Sequence, residues 1–420
     1  MTDERADVVV IGGGIIGAFV ALRLARAGAS VVVVDPAPGD GASSGNAGML
    51  VPSYCVPMAN PAVLADGVRA IIGGGSAVAL RRPLAPATLG WLARFVLASR
   101  PGRARRDARR LAALAAGAAD AYAELADSEG VDIGLRRSGW LYVCRRPGVL
   151  AAQVRAAGRL EDLGIRHEVL DPSGLREREP GLSPDLVGGV LYPDDASLDP
   201  EAATRAVIGS ALRHGARLHR QQVVGVETDG RGRVRAVRTP QGRFAGRTFV
   251  LATGAHSREI GRLFGLRLPV EPGFGWSTTL PTPPGLSAPT THALMGADEH
   301  IVVTPGGSAV RVTGGMRFGG RPTSTADPAA IADLRSAAER LLPALHAHPA
   351  GTAWSGARPM TPSGLPIIGP LGRNVVAATG HGTLGMTLAP VTARLVESLL
   401  THDTYGTSPS PSRPRSGDPS

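Results

Sequence analysis

The 420-residue chain carries 45 basic against 35 acidic residues for a formal charge of +10, and every one of the basic residues is arginine. Without lysine there is neither a phosphate-binding P-loop of the usual kind nor a Schiff-base residue for pyridoxal phosphate chemistry. Aromatic residues make up 4% of the chain and no RNA- or DNA-binding signature accompanies the arginines, which excludes a nucleic-acid role.

The length exceeds what one hydrophobic core usually supports, so two domains are expected. Cys55 and Cys144 have no metal-ligand spacing, which predicts no metal site and a reducing compartment. Acidic residues precede the first apolar strand, so no export is expected, and no apolar run approaches the roughly 20 residues of a spanning helix. The expected location is cytoplasmic.

Residues 7–35 read as strand, glycine turn, helix, strand: Val8 to Ile11, GGGIIG, Ala18 to Ala27, then Val31 to Val34. Both strands are continuously apolar, as inner strands of a parallel sheet covered on two faces should be. Helical stretches follow at 89–99 and 105–126, then a strand-like Trp140 to Cys144 and a helix from Glu201 to His214. Gln222 to Glu227 and Val234 to Thr239 alternate around a glycine turn, and Phe249 to Ala252 reads as a buried strand. Strand-like Ile301 to Thr304 and Ala309 to Val312 precede a helix at 328–342 and a last βα unit, Val375 to Ala378 with Leu384 to Leu400. The Ser-, Pro- and Arg-rich tail, 403–420, is expected to be disordered.

Gly12, Gly14 and Gly17 form G-x-G-x-x-G between a strand and a helix, and Asp35 ends the next strand. In that context the first glycine permits the tight turn, the second lets a pyrophosphate approach the backbone and the third lets helix pack on strand, while Asp35 accepts a hydrogen bond from a ribose. A dinucleotide site is predicted at Gly12, Gly14, Ile15, Gly17 and Asp35. The pattern alone does not separate NAD from FAD.

Three further segments do. Ser43, Ser44, Gly45, Asn46, Ala47 and Gly48 with Val51, Pro52 and Tyr54 resemble the loop that follows the Rossmann unit in the D-amino-acid oxidase superfamily. WSGARPMTPSGLPIIGP from Trp354 and TGHGTLGMTLAP from Thr379 resemble the small subunit of D-amino-acid dehydrogenases within that superfamily, and LATGAHS at Leu251 and LDP at Leu198 occur in matching order. The resemblance implies an α/β fold with a Rossmann-like FAD-binding domain of the glutathione-reductase type (1–65, 196–265 and 350–402) and an interleaved α+β substrate domain (66–195 and 266–349).

It also implies FAD held by Ser43, Ser44, Gly45, Asn46 and Gly48, by Val224, Thr253 and Gly254 toward the adenine and pyrophosphate, and by Gly380, His381, Gly382 and Thr383 against the flavin ring. A glycine turn opening the helix from Leu384 would aim free N–H groups at the charge of a reduced flavin. Arg358 occupies the position whose arginine binds the substrate carboxylate in that superfamily, and a planar guanidinium suits two oxygens at once. Tyr54, His381 and Trp276 are further pocket candidates.

The implied reaction is oxidation of a D-amino acid by hydride transfer from Cα to flavin N5, giving a 2-oxo acid and ammonia, with electrons passing to a quinone-type acceptor or to oxygen. Where close relatives have a Lys-Gly-Tyr triplet this chain has Phe274, Gly275 and Trp276, and Phe318 replaces an acidic residue. Facing the pocket, these side chains would favour a more hydrophobic substrate, or redirect the chemistry to glycine, sarcosine or cyclic secondary amines such as D-proline or hydroxyproline; the alternative is that they only pack the domain. Finally, Arg100, Arg103, Arg105, Arg106, Arg109 and Arg110 lie beside an apolar run, Leu89, Trp91, Leu92, Phe95 and Val96, either as a solvated face or as a peripheral contact with an anionic membrane.

Overall fold

The strands of the computed structural model, which describes residues 2–65, 78–80, 86–319 and 326–405, form two large sheets and one two-stranded ladder. The first sheet is built around Thr2–Ile11, which pairs in parallel with Val31–Val34 on one side and with Gly242–Leu251 on the other. Gly242–Leu251 continues in parallel to Val375–Thr379.

These strands are apolar throughout because both faces are covered. Val8 and Val10 point into a layer of three helices, Ile15–Arg26, Pro200–Arg213 and Gly385–Tyr405, whereas Val9 and Ile11 meet Val237, Phe244 and Phe249 on the other side. Asp199 starts the second of these helices by accepting the N–H groups of Glu201 and Ala202.

The second sheet has nine strands and is largely antiparallel. Its order runs from Thr352–Met360 through Glu271–Pro281, Ala309–Phe318, Ile301–Pro305 and Ala293–Gly296 to Trp140–Cys144, Gly188–Tyr192 and Glu168–Leu170. One face packs Trp276, Leu280, Val310 and Val312 on the helix Pro328–Leu341. The opposite face, which carries the alternate residues Gly275, Ser277 and Arg311, looks toward the first sheet.

Two segments depart from the expected domain division. Residues 350–402 are expected wholly with the cofactor unit, yet Thr352–Met360 pairs along its length with Glu271–Pro281 in the second sheet, and the chain returns to the first sheet only at Ile367. The helix Ala118–Glu129, expected in the substrate unit, lies against the first sheet's helical layer. There Tyr122 meets Phe19 edge-on at 5.2 Å between ring centroids and donates to Met386 O at 3.0 Å.

The single helix expected over 105–126 is also divided, into Pro101–Ala115 and Ala118–Glu129, because Gly117 adopts φ +71° and re-aims the second piece. The helix Gly385–Tyr405 takes in the first three residues of the expected tail, and 406–420 lie outside the described residues, as do 66–77 and 81–85 of the expected substrate unit.

Candidate active site

A cavity of about 1870 Å³ lies between the two sheets. At its first-sheet end the glycine turn leaves no room for side chains. A Cβ on Gly12, at φ +107°, would run into Ala252 O, and one on Gly17 would strike Gly12 O. The helix Ile15–Arg26 therefore opens on glycine: Gly14 offers no side-chain cap, and the helix's positive end faces the cavity. Asp35 is fixed beside it, one carboxylate oxygen accepting from Gly13 N and the other from Ala37 N, each at 2.7 Å. A carboxylate has about four lone-pair sites, so Asp35 retains capacity for a ligand hydroxyl.

The loop 43–48 is held from both directions. Ser43 Oγ accepts the N–H of Ile15 at 2.9 Å, closing the loop on the first helix. Four successive carbonyls are then captured by side chains of the second sheet. Arg311 Nη1 donates to Ser44 O at 3.1 Å and to Asn46 O at 2.9 Å, while Ser277 Oγ donates to Gly45 O and Thr304 Oγ1 to Ala47 O, each at 2.9 Å. With its carbonyls turned into the second sheet, the loop presents Ser43, Asn46 and Ala47 to the cavity. Trp354 fills the space a side chain on Gly45 would need.

Arg358 lies on the cavity face of the second sheet, opposite Gly273 in the strand register. Its guanidinium covers Gly275, where a Cβ would collide with it, and Nη1 donates to Gly315 O at 2.8 Å. That carbonyl is turned inward by a β-bulge: Phe274 pairs with Arg317 and Trp276 with Gly314, so Gly315 and Met316 together oppose Gly275. Gly315 supplies the φ of +75° that such a bulge requires. The strand-like run expected to end at Val312 thus continues through the bulge to Phe318. No carboxylate pairs with Arg358 among the described residues. Burial pulls the guanidinium below its usual value and Tyr54 pushes it back, yet arginine stays cationic.

Tyr54, 38% exposed into the cavity, ends a short 3-10 turn, Pro52–Tyr54, and leans on Trp140 at 5.6 Å between centroids. The residue before it is anchored by a buried acid. Asp195 accepts from Ser53 N at 3.2 Å and from Ser53 Oγ in a shorter contact, and burial pushes its carboxyl up to about 7.

The profile of the DAO family, described as FAD dependent oxidoreductase, matches residues 7–399 of this chain. The chain belongs to the DAO family of FAD-dependent oxidoreductases. Proteins named D-amino acid dehydrogenase from Sinorhizobium medicae and Methylobacterium nodulans are 34% and 32% identical to this DAO-family chain, each over 94% of it and 95% of the relative. Glycine oxidase from Geobacillus kaustophilus superposes with a TM-score of 0.73 at 24% identity, covering 95% of each chain. L-proline dehydrogenase from P. horikoshii does so at 0.71 and 19%, over 96% of this chain and 95% of that one. Those two likenesses establish the fold.

The glycine cradle and the open helix end suit the FAD of this DAO-family enzyme: its pyrophosphate is anionic, and any Cβ at Gly12 or Gly17 would close the space beside it. Of the residues singled out in the sequence, Gly12, Gly14, Ile15, Asp35, Ser43, Asn46, Tyr54, Thr253, Gly254, Arg358, His381, Gly382 and Thr383 line one cavity. Ser44, Gly45 and Gly48 stand behind the wall; Gly48 adopts φ +66°, and a Cβ there would also meet Leu198 O. Gly17 and Gly380 likewise serve backbone packing, Gly380 at φ +76° against Thr361.

Three expectations are corrected, and for Phe274 and Phe318 the two open alternatives divide between them. Val224 is 50% exposed and donates its N–H to Arg238 O, whereas Gln222 and Val223 line the cavity; these residues lie ahead of the strand, which runs Gly225–Thr228 rather than from Gln222. Trp276 faces the helix Pro328–Leu341, away from the cavity, because its neighbours Gly275 and Ser277 take the other face. Phe274 is absent from the wall, while Phe318 is in it. The Gly382 N–H donates to Pro359 O at 3.0 Å and is not free for a ligand.

His381 presents backbone rather than a catalytic imidazole. Its Nε2 lies 2.9 Å from Thr392 Oγ1 within the buried helix, and burial pulls the ring down to about 3, so it is neutral and engaged. Arg311, Ser277, Thr304 and Asp195 hold the loops 43–48 and 52–54 in place and escaped the sequence reading. A lone arginine in the apolar strand AVRV was a signal for the first, since a charge at mid-strand needs partners somewhere.

Proposed function

We propose that this FAD-dependent oxidoreductase oxidises D-amino acids, converting R–CH(NH2)–COO⁻ and water to the 2-oxo acid and ammonia while two electrons and two protons pass to an acceptor. The observation that carries this reading is Arg358: a guanidinium with no acidic partner among the described residues, in the same cavity as the dinucleotide cradle. Bound FAD would supply the two-electron acceptor for the Cα–H hydride.

The chain's own part is positioning. Arg358 would hold both carboxylate oxygens, fixing the substrate at Cα, with charge-assisted hydrogen bonds of about 1.5–3 kcal/mol each. Tyr54 shares the cavity with that guanidinium and couples to it electrically. The buried, neutral His381 is committed to Thr392, so the substrate ammonium would lose its proton to water before oxidation, and imine hydrolysis would follow by water as well. We assign the first sheet and its helices to cofactor binding and the cavity face of the second sheet to the substrate.

The name shared by relatives at 32–34% identity over 94% of the chain supports D-amino acids over glycine or cyclic amines, and supports an acceptor other than oxygen, for which we propose a quinone. Among the described residues no helix is long and apolar enough to cross a membrane. Leu89, Val96 and Leu97 are nevertheless exposed beside a helix whose Arg103, Arg105, Arg106, Arg109 and Arg110 face outward, and we assign this surface to salt-sensitive contact with anionic lipid, which vesicle co-sedimentation tests. Trp91 and Phe95, by contrast, are buried in the protein.

Anaerobic mixing of the yellow holoenzyme with D-amino acids, L-amino acids, glycine and cyclic amines tests the reaction. Bleaching of the flavin by D-amino acids is expected; bleaching confined to glycine or cyclic amines selects the alternative. Dye reduction without hydrogen peroxide would identify a dehydrogenase.

A further inference from the structure

The wall beside Arg358 is apolar, and it begins at the guanidinium itself. Gly273 stands opposite Arg358, and the space above Gly273 is filled by Met316, Met360 and Phe318. Phe318 meets Trp91 at 5.1 Å between ring centroids, and Trp91 stacks on Phe95 at 5.4 Å. These side chains form one buried cluster with Ala59, and Met58, Leu92 and Met316 pack against it. Its cavity-facing members, among them Met58, Trp91, Leu92, Phe95, Met316 and Phe318, carry no charge. Their single polar hydrogen, on Trp91 Nε1, is donated to Met360 O at 3.0 Å.

Resting on the reading of amino-acid oxidation above, we infer that the preferred substrate carries a large apolar side chain, which lies along Met58, Trp91, Met316 and Phe318 while Arg358 holds the carboxylate. Each methylene taken out of water is worth roughly fourfold in binding, so a leucine-sized side chain gains on the order of 50-fold over a methyl group. A carboxylate or ammonium side chain would lose its hydration against this patch and find no partner among its described residues. The residues that carry the preference are not Phe274 and Trp276, which the altered triplet brings to notice, but Phe318 and the rings stacked behind it.

The test uses the full FAD-loaded chain, mixed anaerobically with D-leucine, D-methionine, D-phenylalanine, D-alanine, D-serine and D-aspartate, reading flavin bleaching as limiting rate over apparent Kd. The large apolar substrates should exceed D-alanine and D-serine at least tenfold, with D-aspartate weakest. D-alanine, D-serine or D-aspartate ranking first overturns this inference and leaves amino-acid oxidation standing; no bleaching by any of them overturns both.

A reading without turnover comes from flavin absorbance of the oxidised enzyme titrated with 3-phenylpropionate and with propionate. The former should bind at least tenfold tighter, and equal affinities overturn the inference. In Met316→Gln, a change of similar length at a half-buried position, the preference for D-leucine over D-alanine should fall about tenfold. An unchanged preference in a variant that keeps its flavin spectrum counts against the patch.

Discussion

Arg358 rests on Gly275: its guanidinium occupies the place of the missing Cβ, and the bulged neighbouring strand brings Gly315 O to Nη1 at 2.8 Å. The floor is therefore built for the arginine. Gly275→Ala should lift the guanidinium off it, raising KM for amino acids while flavin content stays normal. Arg358→Ala should go further, losing charge-assisted hydrogen bonds of about 1.5–3 kcal/mol each, or at least roughly tenfold in kcat/KM. Steady-state kinetics with flavin quantitation decides both, and an Arg358→Ala enzyme of wild-type efficiency would falsify the anchoring role.

Among the described residues Arg311 is the only side chain that holds two carbonyls of the loop 43–48, and it does so while half-buried and without an ion pair. Arg311→Met keeps the apolar stem and removes both donors. FAD should bind at least tenfold more weakly, read by fluorescence during reconstitution of the apoprotein. Ser277→Ala and Thr304→Val, each losing one neutral hydrogen bond of about 1 kcal/mol, should weaken FAD less. Equal FAD affinity in all three variants would mean that the loop keeps its shape unaided.

Asp195 gives a pH signature. Its carboxyl is raised from an ordinary 3.8 to about 7, chiefly by burial. The folded state therefore holds a proton that the unfolded chain releases, and this stabilisation, full below pH 3.8, is lost as pH rises to 7 and flat beyond. Each pH unit across that window costs about 1.4 kcal/mol. Asp195→Asn retains an acceptor for Ser53 N and offers a donor to Ser53 Oγ. It should flatten the fall of Tm between pH 4 and 7 and raise Tm at pH 8, with no such change if Asp195 is ionised at low cost.

Gly17 tests the cradle. A methyl group there meets Gly12 O, a backbone atom that cannot move aside without deforming the turn. Gly17→Ala should yield a folded protein depleted of flavin. Circular dichroism confirms the fold and absorbance near the flavin bands measures the loss; full occupancy would show that the turn adapts.

The first βαβ unit was legible because its rules are local. Only glycine tolerates the φ of Gly12 and the helix–strand contact at Gly17, and an inner parallel strand must be apolar on both faces, so residues 7–35 carry their own structure in their order. Arg358 stood out through a motif, and the cavity that receives it follows from where that motif lands. The resemblance placed the C-terminal segment with the flavin, but it did not show that Thr352–Met360 crosses into the other sheet.

Which way each strand faces was decided by tertiary pairing. One bulge at Gly315 and Met316 fixes the pairing beside Gly275, and the one-residue alternation turns Trp276 into a helix-covered core, while Gly275 is left beneath the guanidinium. A strand's period is two, so a phase error of one residue exchanges pocket for core. Val224 is placed by resemblance alone, and in the irregular stretch before the strand Gly225–Thr228 the cavity contacts fall to Gln222 and Val223. Arg311 and Asp195 escaped notice for a related reason: their partners lie 265 and 142 residues away, at Asn46 and Ser53, and only folding brings such groups within hydrogen-bonding distance.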